Sequence, residues 1–548
     1  MLRSAAMRFG KQSVAVGVGV LVSLATSACA ETTCEDTRTC EKGSGTGGVG
    51  AGGTTWTGGS GGAGGSGGTV QPGSFGISVE STSLSLTEAG SFELVVTITR
   101  NAMTDPITLD FLGLPTGVTT TPVTAQNGFA TAKIVLQAGP KLQHGPKNVT
   151  LSAKAGADEH TLGISLSLRG APGSIDNGFA VQGEVNVNLA SEWARAYSAA
   201  VAPDGKIYVV GDFGTTAGGV HAYHVLRYDA DGKVDQAFGT NGVVMRYTTP
   251  STGQHVARSV FLDAQARPVV GGYFSGDQLL VARYDTNGAL DTSFATTGEV
   301  VGPGGSLYAI TAHGTKIVGA GKDDKTPAHA LVGQMDAAGV PDSTFGAASF
   351  AVIDTGTSTS EAVAIAIDSD NKVVVAGNTN KAGTPVLVAR LTPGGQPDSF
   401  GTSGIAYLDP TNGTATTSMV VRPNKRIVVG GGAAGDKSFV MQLDPQGALD
   451  TSFGTGGRVL GSNGRVDALA LDGTGRLVTA GRTGTALQLG RLNVDGSSDA
   501  TFGSAGSSKL TDKIIPYGIT LLPDGRALVV GVSQTSPPDR IYLTRIWM

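Results

Sequence analysis

Ile175-Asp-Asn-Gly-Phe179-Ala-Val-Gln-Gly183-Glu-Val185 matches Leu290-Asp-Thr-Ser-Phe294-Ala-Thr-Thr-Gly298-Glu-Val300 almost letter for letter. The second stretch lies inside a unit of roughly fifty residues that recurs to the C-terminus, whereas the first stands alone ahead of the first complete unit. A fixed period of this size indicates a solenoid or a propeller and takes precedence over local assignments. Each unit carries Asp-x-x-Phe, usually followed by Gly, with the aromatic at Phe179, Phe238, Phe294, Phe345, Phe400 (one residue short), Phe453 and Phe502. A short apolar run closes on Gly211, Gly272, Gly321, Gly377, Gly431, Gly481 and Gly531. Ahead of each Asp-x-x-Phe comes a third landmark centred on Arg227, Arg283, Gln334, Arg390, Gln442 and Arg491, and its seventh copy, at Arg545, ends the chain.

Within a unit, stretches of four to seven residues rich in Val, Ile, Leu and Tyr are separated by Asp-Gly, Asn-Gly and Gly-Gly. They read as antiparallel strands joined by hairpins. In the second unit they fall at 259–263, 268–274, 278–284 and 298–301. Four strands per unit fit a propeller of four-stranded sheets. The last unit stops after its third strand, and the isolated N-terminal copy predicts a strand near Gly183–Leu189. Set beside Ile541–Ile546, that strand joins two edges that would otherwise be unpaired. The expectation is therefore all-β: a seven-bladed β-propeller over 175–548, closed by an N-terminal strand.

The rest of the chain reads as separate parts. Arg3, Arg8 and Lys11 followed by the apolar run Val14–Leu24 form a signal peptide over 1–28, too short to span a bilayer comfortably. Leu24-Ala-Thr-Ser-Ala-Cys29 resembles a bacterial lipobox, with Thr26 where Leu is usual, and implies lipidation at Cys29. Ala28-Cys29-Ala30 offers ordinary signal-peptidase cleavage as the alternative. Cys34 and Cys40 are then left as an even pair in an oxidising compartment, where a small loop disulfide is expected. Residues 29–74 hold these cysteines and a Gly/Ser-rich tether, whose thirty or so linker residues reach about 30 Å as a flexible coil. Residues 75–170 alternate apolar and polar positions, as in Phe92, Leu94, Val96 and Ile98, then Ile107, Leu109 and Phe111. This period reads as a β-sandwich. Its Gly113-Leu-Pro-Thr-Gly-Val118 stretch resembles that of bacterial immunoglobulin-like domains, which implies a spacer or adhesion module.

Forms such as Leu443-Asp-Pro-Gln-Gly-Ala-Leu-Asp-Thr-Ser-Phe-Gly454 resemble the delta-60 repeat family of bacterial exported and cell-surface proteins. That resemblance implies a propeller-like domain and brings no catalytic residues with it.

With a net charge of −5 and 15% charged residues, no basic field suggests nucleic acid. Aligning the starts of the innermost strands gives Tyr197, Arg258, Ser306, Val363, Thr417, Asp467 and Tyr517. The set is mixed, with no ring of histidines and no carboxylate pair. Tyr197, Arg258, Asp467 and Tyr517 are the candidates for a ligand face. Asp229, Asp231 and Asp235 on a Gly-containing turn admit a calcium reading, and His221 with His224 a zinc one. Against each stands the plainer reading of turn and loop residues, with no metal and no cofactor. Asp of Asp-x-x-Phe is expected to accept turn N–H groups and Phe to plug the gaps between neighbouring units. The leading function is a non-enzymatic surface lipoprotein, monomeric, binding extracellular protein or glycan. It would sit in the outer membrane or at the cell surface if lipidated, and be secreted or periplasmic otherwise. The alternative is an exported lyase, lactonase or quinone-dependent dehydrogenase working at the channel mouth.

Overall fold

The computed structural model describes residues 17–18, 73–189, 192–214, 221–246, 254–274, 278–410, 415–435, 437–461, 464–535 and 538–548. Cys29, Cys34, Cys40 and the tether lie outside them. Gly17–Val18 form a two-residue parallel pairing along Ser418–Met419. The described chain divides into a unit over 73–171 and a unit from Pro172 to the C-terminus, and every regular element in both is a strand.

In the smaller unit, Ser74–Val79, Ser91–Asn101, Thr131–Ala138 and Val118–Thr120 form one sheet. Ser83–Thr87, Asp158–Arg169, Gly145–Ala155, Ile107–Leu112 and Val123–Ala125 form a second. Alternation does what it should: Leu94, Val96 and Ile98 enter one core with Ile107, Leu109, Leu151 and Ile164, while Glu93, Val95 and Thr97 face outward. Phe92 and Ala132 pack only partly against this core. The strand Ser83–Thr87 lies parallel to Ser165–Arg169, at the edge of its sheet.

In the larger unit the strands group four by four. Trp193–Val201, Ile207–Gly214, His221–Tyr228 and Val243–Arg246 form the first sheet. Later units repeat it with first strands at Val256–Leu262, Ser360–Ile367, Thr416–Val421, Arg465–Leu471 and Ile514–Leu521. The second and third units share the single strand Glu299–His313, which pairs with Gln278–Arg283 at its start and with Lys316–Asp323 from Gly305 onward. The first strands touch one another in chain order, and the last, Ile514–Leu521, touches the first, Trp193–Val201. Glu184–Val187 pairs antiparallel with Ile541–Thr544, Val185 opposite Leu543, and supplies the fourth strand of the last sheet. The expected pairing of the isolated N-terminal copy is thus present.

The landmarks of the sequence are the joints between units. The Asp of Asp-x-x-Phe accepts the N–H two residues on, as at Asp235 (3.1 Å from Ala237 N) and Asp499 (3.0 Å from Thr501 N). Its other oxygen takes the Arg of the third landmark: Arg227–Asp235 at 2.8 Å, Arg283–Asp291 at 2.7 Å, Arg390–Asp398 at 2.6 Å and Arg491–Asp499 at 2.7 Å. Each of these guanidiniums lies over the motif's own Phe, with Arg390 4.8 Å from the Phe400 centroid. The same arginines reach the next unit, Arg283 donating to Ala337 O at 2.5 Å and Arg390 to Pro445 O at 2.7 Å. Where Gln replaces Arg, another cation takes the carboxylate: Lys316 on Asp342 beside Gln334, and Arg426 on Asp450 beside Gln442. The last joint spans the termini, since Arg545 and Arg526 both bind Asp176, at 2.7 and 2.6 Å.

Backbone bonds repeat the same step. Gly239 N donates to Asn287 O, Gly346 N to Gly394 O, Gly401 N to Gln446 O, and Gly503 N to Pro172 O at 2.9 Å. The Phe ring fills the space left by the following unit's turn glycine. At Gly339, with φ at +84°, any Cβ would sit 2.9 Å from the Phe294 ring, so both backbone and space call for Gly.

Candidate functional site

The apolar run ending in Gly sets the geometry of the innermost strands. Every first strand shifts register against its second strand at one position: Ala196/Ser198, Ala257/Ser259, Leu307/Ala309, Ala362/Ala364, Thr416/Ser418, Val466/Ala468 and Pro516/Gly518. A β-bulge leaves one extra residue outside the ladder and re-aims its side chain. The seven residues so released are Tyr197, Arg258, Tyr308, Val363, Thr417, Asp467 and Tyr517. Two residues before each, the carbonyl folds onto the landmark glycine. A Cβ at Gly211 would overlap Arg195 O, one at Gly377 would overlap Glu361 O, and one at Gly481 would overlap Arg465 O. The repeated Gly is therefore the partner of the bulge, as glycine within a strand often marks a close backbone approach.

This corrects one assignment. Ser306 is not the third member of the ring; it stands two residues earlier, where its carbonyl meets Gly321. The member is Tyr308. The cause is a continuous strand: Glu299–His313 runs from the second unit into the third, so no turn marks where the third unit's first strand begins.

Tyr197, Arg258 and Tyr517 come together, while Asp467 is paired with Arg465 and Arg482 and reaches Tyr517 only through its charge. The Arg258 guanidinium lies 4.2 Å from the Tyr197 ring centroid and 5.8 Å from that of Tyr273. The Tyr197 and Tyr517 rings are 5.1 Å apart, tilted at 47°. Tyr197, Tyr273, Tyr308, Val363 and Tyr517 belong to one buried cluster, a floor built from several units. Burial pushes the Tyr197 hydroxyl well above its ordinary value and raises that of Tyr517, so both are neutral. Arg258 Nη2 approaches Tyr273 Oη at 3.4 Å, while its buried Nε and Nη1 make no hydrogen bond.

Asp467 is fully buried, with Arg465 at 2.8 Å and Arg482 at 3.4 Å. Burial raises its pKa despite the two arginines. Arg195, two residues before Tyr197, is 31% exposed, lies over Trp193 at 4.9 Å, and has Asp539 at 3.9 Å. Asp212 is buried and pairs with His221 at 3.0 Å.

The metal readings find no support in these positions. Asp229 Oδ1 accepts the N–H groups of Asp231 and Lys233, both at 2.9 Å, which is the same turn that Asp285 and Asp444 build in other units. Asp235 is held by Arg227. His221 faces Asp212, and His224 Nε2 bonds Arg195 O at 2.9 Å. Burial lowers the His224 pKa to about 4. Among the described residues, no three His, Cys, Asp or Glu side chains gather where a metal ion could be held.

Sequence reasoning missed Arg195, Asp212, Tyr273, Arg465 and Arg482. A signal was available. Arg195 and Arg465 stand two residues before a bulge, and Asp212, Tyr273 and Arg482 directly follow a landmark glycine. Cross-strand pairing then sets Arg195 opposite Asp212 and Arg465 opposite Arg482.

The family described as "Domain of unknown function (DUF5122) beta-propeller" matches residues 202–238, 269–294, 369–400 and 422–453. Each match ends on the Phe of Asp-x-x-Phe. The larger unit is a β-propeller made of repeats. No curated protein matches the chain. Among solved structures, a quinonprotein alcohol dehydrogenase-like protein from Bacteroides thetaiotaomicron is similar at 10% identity and a TM-score of 0.35. That match covers 78% of this chain and 93% of the other. A protein of unknown function from Dyadobacter fermentans is similar at 12% identity and TM-score 0.37, covering 67% and 98%. A calcium-binding protein, regucalcin, from Agrobacterium tumefaciens is similar at 12% identity and TM-score 0.30, covering 65% and 90%.

Proposed function

We propose that this chain is a surface-anchored, non-enzymatic binding protein that presents a seven-bladed propeller. One observation carries the reading. Every unit keeps the carboxylate–cation–Phe joint, while the seven bulged positions carry five residue types, tyrosine at Tyr197, Tyr308 and Tyr517 and otherwise Arg258, Val363, Thr417 and Asp467. A repeated frame with a varied central ring suits recognition: Asp467 is paired with Arg465 and Arg482, and burial keeps Tyr197 and Tyr517 neutral, so these members are not poised for proton transfer. Seven first strands in a circuit, with Val185 beside Leu543, support the blade count. The two-sheet unit over 73–171 serves as an immunoglobulin-like spacer, the Gly-rich stretch as a tether, and lipidated Cys29 as the anchor of an outer-membrane or cell-surface protein. Its partners are extracellular proteins or glycans.

The test is a binding screen of the full chain against extracellular glycans and surface proteins, alongside a variant altered at Tyr197, Arg258 and Tyr517. Capture by the parent and loss by an equally stable variant supports the reading. Turnover of the captured ligand overturns it in favour of the enzyme. Mass spectrometry of the mature N-terminus tests the anchor: a diacylglyceryl group on Cys29 is expected, and an unmodified start at Glu31 contradicts it.

A further inference from the structure

Resting on the binding reading, the chemistry of the first and second units names a ligand class. Arg258 is the unusual residue. A guanidinium remains charged under all physiological conditions, and a buried charge without a hydrogen-bonded partner is costly. Arg258 has two buried nitrogens, Nε and Nη1, with no hydrogen bond. Its contacts with Tyr197 and Tyr273 are to ring faces and one weak hydroxyl approach at 3.4 Å. Of the carboxylates nearby, Asp539 lies 3.9 Å from Arg195, and Asp212 pairs with His221 at 3.0 Å through one oxygen; its buried Oδ1 makes no hydrogen bond, so Asp212 acts on Arg258 through its charge alone. Arg195 presents a second guanidinium, partly exposed, and beside it stands Trp193, a half-buried indole that meets His221 edge-on at 4.8 Å. A guanidinium matches a planar carboxylate in a bidentate manner, and a partly exposed indole, with Arg195 over one face, can turn its other face to the C–H side of a sugar ring.

We propose that Arg258 and Arg195, over the Tyr197–Tyr517 floor and beside Trp193, bind the carboxylate of a uronic-acid unit in an acidic glycan. Arg258 and Arg195 hold the anion, the two neutral tyrosine hydroxyls donate to ring oxygens, and Trp193 stacks on the sugar. The aromatic face favours a uronate over an acidic peptide, whose carboxylates come on flexible aliphatic stems.

The experiment is calorimetric titration of the full chain with a galacturonic-acid oligosaccharide, its methyl ester, and a poly-glutamate peptide. The acidic oligosaccharide is expected to bind, with affinity falling at least about tenfold in Arg258→Gln and in Arg195→Gln, as for the loss of a charge-assisted pair. High salt weakens it in the same direction. Arg258→Lys keeps the charge, serves as the variant least apt to disturb folding, and is expected to lose part of the affinity through the lost fork. Lys425→Gln, far from the site in sequence and exposed, is expected to leave binding unchanged. Equal binding of the methyl ester, tighter binding of poly-glutamate, or no binding of the acid form by the folded parent overturns the assignment. Capture of a neutral glycan through Tyr197 and Tyr517 overturns this ligand class while leaving the binding reading intact. Hydrolysis or elimination of the oligosaccharide defeats the binding reading itself.

Discussion

The turns that carry Asp-x-x-Phe and the bulges of the first strands lie in the same units, and they have diverged in opposite ways. At the turns each carboxylate is met by a cation in unit after unit, and when Arg is lost at Gln334 or Gln442 a cation arrives from Lys316 or Arg426. At the bulges the backbone is constant and the side chain is free to vary. The difference has a physical origin. A joint between units must satisfy a buried charge, so its chemistry is fixed by its partner. A bulged residue is outside the ladder, so only the facing glycine is constrained.

The comparison breaks most severely at the joint that closes the ring. Asp176 is buried between Arg526 and Arg545. Asp176→Ala leaves two guanidiniums without their carboxylate and is expected to cost about 3–5 kcal/mol, read as a fall in denaturation midpoint. Gly377→Ala comes next. Its Cβ overlaps Glu361 O, so the bulge must flatten or the strands part, at about 1–3 kcal/mol. If it proves neutral, the glycine is not the reason for the bulge.

The acid response separates the two regions. Hydrogen bonds from Lys316 and Thr344 hold Asp342 at about 2, and those from Thr501 and Arg491 hold Asp499 at about 2, against an ordinary value near 4. Groups lowered in the fold contribute stability that is full above pH about 4 and lost as pH falls towards 2. Buried His224, lowered to about 4 by burial, contributes stability that is full above about 6.5 and declines below it. Asp467 runs the other way, because burial raises it: its contribution favours low pH and disappears as pH rises past its folded value. Melting scans are expected to be flat above pH 7, to sag from about 6.5, and to fall steeply below 4.

Ring variants should do less to the fold. Arg258→Gln removes a cation–π contact with Tyr197 and is expected to change stability by about 1 kcal/mol or less, while ligand binding suffers. Smallest of all is Lys425→Gln. It breaks a pair with Asp370 that is exposed on both sides, and no resolvable shift of the denaturation midpoint is expected. A large effect there would mean that the joints draw on surface charges too.

Repetition made much of this legible. Seven copies of a glycine at one position identify a constraint that one copy would not, and the resemblance of 175–185 to 290–300 locates the closing strand from the sequence alone. The ion pair was hidden because Arg390 and Asp398 are eight residues apart on opposite sides of a turn, a spacing with no helical or strand period. Tyr308 was displaced because the alignment leaned on strand starts, and the third unit has no break before its first strand. The rim cations escaped notice because they flank the bulges instead of occupying them.

Closure of the ring bears most of the account, and amide hydrogen exchange at 184–187 tests it directly. In the full chain these amides are expected to exchange as slowly as those of 541–544, which they face, and to lose protection when the chain is cut before Arg540. Rapid exchange of 184–187 in the intact chain would contradict the pairing of Val185 with Leu543 and the circular arrangement that follows from it.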